Sequence, residues 1–81
     1  MDSRIFIEEA KDLIADIKSF NNTHLERDQE IIQSRMIQSR LDSTLGKLYN
    51  PTLPSAHRLV AAAVHVGFNI DPKLVDWVRS H

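Results

Sequence analysis

The sequence predicts an all-α fold. A long antiparallel helical hairpin over residues 1–50 is followed by a short two-helix unit over 51–81, the whole assembled as an oligomeric bundle. Three observations lead there. Apolar residues recur at intervals of three and four, and no stretch alternates as a strand does. Caps and breakers fall between the periodic segments rather than inside them. The second helix is apolar on two nearly opposite faces, which asks for two neighbours where one stripe would serve one.

The first helix is expected from about Asp2 or Ser3 to Phe20. Phe6, Ala10, Leu13, Ile17 and Phe20 are spaced four, three, four, three, the seam of a bundle. Ile7 and Ile14 widen it. Glu8, Glu9, Asp12 and Asp16 are read as a solvated flank rather than a metal or acid–base site. Carboxylates that hold metal in a bundle point inward with histidine partners, and these do not.

Asn21-Asn22 is expected to be the first turn. Thr23-His24-Leu25-Glu26 matches a capping box, in which Thr and the Glu three residues later satisfy each other's backbone N–H groups. His24 is expected at the surface.

Helix two is expected from Thr23 to about Tyr49, roughly 25 residues and ~38 Å. At about 100° per residue, Leu25, Ile32 and Met36 share one face. Ile31, Ile37, Leu41, Leu45 and Leu48 cluster on the other, in a seam that also passes through Ser34 and Gln38. One stripe serves the first helix. The other is then free for a second copy or a different protein. Leu25, Ile32 and Met36 are therefore candidate interaction residues. Gln38 joins them as a polar seam residue that could set register between two chains, as single polar core residues do in coiled coils; the bland account leaves it where the bundle opens to water. Gly46 either permits close approach of a neighbour or marks fraying.

Tyr49-Asn50-Pro51-Thr52-Leu53-Pro54 is the main break and a candidate hinge, because proline and the residue before it leave the helical region. Helix three follows over about Ser55–Val66, capped by Thr52 or Ser55. Ala56, Leu59, Val60 and Ala63 share its apolar face. Gly67 is its stop. Asp71-Pro72 reads as N-cap plus first helical residue, opening helix four over Pro72 to about Ser80. Its apolar face is Leu74, Trp77 and Val78, with Trp77 expected to anchor in the core.

Composition narrows function without naming it. Eighty-one residues make one small domain. A core of that size seldom supplies more than roughly 3–5 kcal/mol, which favours a homodimer over a lone monomer. There is no cysteine, so neither disulfide nor thiolate chemistry is open to the chain. No cofactor or metal is expected: the four histidines lack ligand spacing, and with only two glycines there is no phosphate-cradling loop. Ser55 and His57 lack the third orienting group of a triad, so an enzyme is not expected. With acids beside its short apolar run, MDSRIFIEEAKD is not expected to be a signal peptide, and no apolar run approaches the roughly 20 residues of a membrane span. The cytoplasm is the expected location.

Formal net charge is −1, which argues against nucleic acid, whose binding rests on a basic patch. Residues 55–80 nevertheless pair Ala63 with Gly67 and Phe68 at helix-turn-helix spacing. Beyond that, Lys73 and Asp76 fall where buried apolar residues belong. The expected function is a small module that self-associates and binds another, unidentified protein as adaptor, inhibitor or regulator. The alternative is a DNA-binding transcriptional regulator using a degenerate helix-turn-helix over 55–80.

Overall fold

The structure, a computed structural model, describes residues 3–46 and 54–80. The described residues form four helices and no strand: α1 (Ser3–Asn22), α2 (Arg27–Gly46), α3 (Pro54–Val66) and α4 (Pro72–Ser80). Leu48, Thr52 and most of the candidate hinge lie outside the described residues.

α1 is the spine of the molecule. Its four-three seam is buried as the spacing requires: Phe6, Ala10, Leu13 and Ile17 are all in the core, with Phe20 half-buried at the end. The main helix contacts are α1 with α3, α1 with α2, and α3 with α4. The C-terminal helices therefore do not stand apart from the first two. Ala56, Leu59 and Ala63 of α3 enter the same apolar cluster as the α1 seam and as Ile37 and Leu41 of α2. Small Ala side chains at positions 10, 56 and 63 lie fully buried in that cluster. On another side of α3, Val60 is buried, as is Val78 of α4.

Several expectations need correction. α1 keeps its helical bonds through Asn22, so the turn falls at residues 23–26 rather than 21–22. α2 begins at Arg27, and the Glu26 carbonyl accepts the Glu30 N–H at 2.8 Å. Glu26 thus occupies the N-cap position, and the Thr23 capping box is not used. Helical spacing places Ile31 in the buried seam of α2, yet it is exposed. The buried residues of α2 are Ile37, Leu41 and Thr44, all in its second half. The neighbours that bury Leu41 and Thr44 do not extend along α2 to cover Ile31. Among the described residues, none closely approaches the place where a Cβ of Gly46 would sit, so no close approach there requires the glycine. Ser55 lies inside α3 and does not cap it, because the helix opens at Pro54, a residue suited to a first helical turn. Trp77 is only half-buried, and Val78 is the α4 residue that is buried.

The α3–α4 turn forms from local chemistry. Gly67 takes φ +104°, a left-handed conformation that costs glycine little. Its N–H reaches the Val64 carbonyl at 3.2 Å, while the Phe68 N–H reaches Ala63 at 2.9 Å. This is the Schellman closure of a helix C-terminus. Asp71 then caps α4 as expected: its carboxylate accepts the Lys73 N–H at 3.0 Å, and Pro72 follows at the first helical position.

Candidate functional site

The four residues singled out by sequence do not form one constellation. Leu25 and Met36 come together. They line a groove of about 290 Å3 between the end of α1 and α2, with Phe20 and Ile37 as its other large apolar residues. Asp16 and Arg40 form a salt bridge at this groove, and both side chains are about half exposed. Such a pair contributes about 0–1 kcal/mol, so it orients the groove more than it holds the fold.

Ile32 is not among the residues lining that groove. It stands on the open face of α2 and is 52% exposed, as Met36 is 61% and Ile31 42%. Ile31 is an exposed apolar residue that sequence reasoning missed, because its spacing placed it in the seam. None of the first ten residues of α2, from Arg27 to Met36, is buried; Ser34 alone among them is half-buried. Helices in proteins are stabilised mainly by packing an amphipathic face. This half of α2 offers three large apolar side chains to solvent and has no buried face of its own.

Gln38 is committed within the chain. Its Nε2 donates to the Asn69 carbonyl and its Oε1 accepts the Asn69 N–H, both at 2.8 Å. The Nε2 also donates to the Asp42 carboxylate at 3.0 Å. Three of its four hydrogen-bonding capacities are thereby used. Together with the Phe20–Phe68 ring contact, centroids 5.7 Å apart, this pins the α3–α4 turn to α2 and to the end of α1. The signal for it is a polar residue in an apolar seam. That signal does not say whether the partner lies in another chain or 31 residues further along the same one.

The carboxylates of α1 that sequence assigns to a solvated flank include two with α2 partners. Asp16 meets Arg40, and half-buried Glu9 accepts a long hydrogen bond from the buried Thr44 hydroxyl at 3.4 Å. Among the described residues, no three His, Asp or Glu side chains converge in a way that could hold a metal ion. Nor is any helix among them long and apolar enough to cross a membrane. No protein-family model matches the chain, and no curated protein or solved structure matches it either.

Proposed function

We propose that this chain is a small protein-interaction module that self-associates through the outer face of α2 and, as an adaptor, inhibitor or regulator, binds another protein. One observation carries the reading: the first half of α2 exposes Ile31, Ile32 and Met36 together and buries nothing. Ile32 and Met36 lie one turn apart on one side of this half-helix, and exposed large apolar side chains that adjoin in this way mark a contact surface more often than a solvated one. The groove holding Phe20 and Leu25 opens beside Met36, so a helix laid on this face would also find a concave edge. Covering it would supply the burial that a chain of 81 residues otherwise lacks.

Within this reading α1 and α2 are the antiparallel arms of a hairpin. The order of their cross-links supports it: Glu9 meets Thr44 and Asp16 meets Arg40, so earlier residues of one helix face later residues of the other. Light scattering at micromolar concentration is the direct test, with a mass at least twice that of the chain expected. A stable monomer of 9.3 kDa at every concentration overturns self-association.

A DNA-binding regulator built on α3 and α4 is the second reading, favoured by their packing across a glycine turn. Against it stand a turn of residues 67–71, longer than the usual three or four, and Asp71 and Asp76 beside the only two basic residues of α4, Lys73 and Arg79. Retention on heparin with a steep salt dependence would favour this reading over the first.

A further inference from the structure

A second groove lies between α3 and α4, on a different pair of helices from the α2 face. Its floor is Val60, Ala61, Val64, Val75 and Val78, and its volume is about 330 Å3. Ala56, Leu59 and Ala63 already commit one stripe of α3 to the core. The floor residues Ala61 and Val64 belong to another stripe, and both are exposed. α3 thus carries more apolar surface than its contacts within the chain consume.

The rim gives this surface a sign. Among the described residues that line the groove, His57, His65 and Arg79 are the ionisable ones, and none is an acid. α3 contains no acidic residue at all. The carboxylate of Asp71, which caps α4, is engaged by the Lys73 N–H, and Asp76 of α4 is not part of the lining. An aliphatic floor with a basic, hydrogen-bond-donating rim complements a ligand that is apolar along one line and acidic beside it.

We propose that the α3–α4 groove docks an acidic amphipathic helix of a partner protein, with aliphatic anchors on the valine floor and carboxylates at Arg79, His57 and His65. Helices recognised in grooves present anchors at i, i+3 or i+4, and i+7, which suits a trough bounded by two helices. Nucleic acid fits less well. Its affinity comes from several phosphate contacts, and this groove offers one guanidinium above aliphatic groups that contribute nothing to a phosphate. The proposal does not depend on the α2 face.

The test uses the full chain, isotopically labelled, and two designed helical peptides. Both carry Leu at i, i+3 and i+7; one has Glu at the flanking positions and the other Lys. The Glu peptide is expected to shift the resonances of Val60, Val64, Val75 and Val78 and to bind at least about tenfold more tightly than the Lys peptide, the factor that ~1.4 kcal/mol of charge preference gives. Arg79→Glu should remove or invert that preference. Val64→Asp, at an exposed helical position, should abolish binding while the circular dichroism spectrum is retained. Lys18→Ala, at an exposed α1 position that does not line the groove, should leave peptide binding unchanged. Equal binding of both peptides, shifts confined to α2, or no binding at millimolar peptide overturns the proposal. So does a fall in the chain's own mass on Val64→Asp, since a second copy would then fill the groove. Resonance shifts at the groove produced by duplex DNA but not by the Glu peptide would also overturn it.

Discussion

Gln38 and Asn69 exchange two hydrogen bonds of 2.8 Å, side-chain amide against backbone amide, across 31 residues of chain. The pair acts as a clasp. It joins the middle of α2 to the turn between α3 and α4, where the ring of Phe68 also meets that of Phe20 of α1 at a tilt of 49°. α1 and α2 thus both meet the α3–α4 turn, whose own shape is set by Gly67.

The clasp makes Gln38 separable from assembly. Gln38→Leu removes both bonds and also the one to Asp42, but the exposed groups left behind at Asn69 and Asp42 can turn to water in compensation, so a loss of about 1 kcal/mol in unfolding free energy is expected. Amide exchange at Asn69 should speed up in the variant. The oligomeric mass should not change. A change of mass with unchanged stability would return Gln38 to an inter-chain register role.

The two glycines should respond in opposite directions to alanine. At neither does a described residue beyond the immediate chain neighbours and the helix's own backbone come within 4 Å of the place an added Cβ would take, so backbone conformation decides. Gly67 sits at φ +104°, where a Cβ is strained, and Gly67→Ala is expected to cost about 1 kcal/mol or more. Gly46 lies in helical conformation, and Gly46→Ala should stabilise by about 0.4–1 kcal/mol. Thermal melts of the two variants, compared at one protein concentration, check the sign of each.

What the sequence made legible was local. The α1 seam was readable because one helix face at four-three spacing needs no knowledge of its neighbour. Gly67 and Asp71-Pro72 were readable because a helix end is chemistry among adjacent residues. Failures came where distant packing decides. Helical spacing puts Ile31 with Leu41, but which turns of α2 receive cover depends on where other helices end. The Thr23 box is locally sound but is not used, because the four residues Thr23 to Glu26 stay outside both helices. Gln38 stands out in the sequence for the right reason, as a polar residue in a seam, but its partner lies in the same chain, and no periodicity within α2 can reveal Asn69.

Ile31 and Ile37 give a direct measure of that boundary. Both are isoleucines on one helix, six residues apart in sequence, one exposed and one buried in the main cluster. Ile37→Ala should cost about 2–4 kcal/mol, enough to unfold much of a domain with a core this small. Ile31→Ala in the dissociated monomer should stay within about 0.5 kcal/mol of the parent. Denaturant titration at low and high protein concentration distinguishes the cases. If Ile31→Ala becomes costly only at high concentration, the exposed side chain is being covered by association.

The α2 face itself is tested by charge. Ile32→Asp and Met36→Asp place carboxylates at side chains 52% and 61% exposed. In a solvated helix the substitution is tolerated. In a contact, burying an unpaired charge costs several kcal/mol, which corresponds to a hundredfold or larger loss in association. Both variants are expected to lower the oligomeric mass, or to abolish binding of the protein partner, while helicity survives at least through the buried half of α2. Hydrogen exchange should follow the same division: amides of residues 31–36 protected in the parent assembly and fast in the variants, amides of residues 41–46 protected in both. If both variants assemble and bind as the parent does, the face is merely wet, and the support for this half of α2 must come from its own sequence. If both unfold outright, Ile32 and Met36 are covered within one chain by a neighbour, and the interaction surface has to be sought elsewhere.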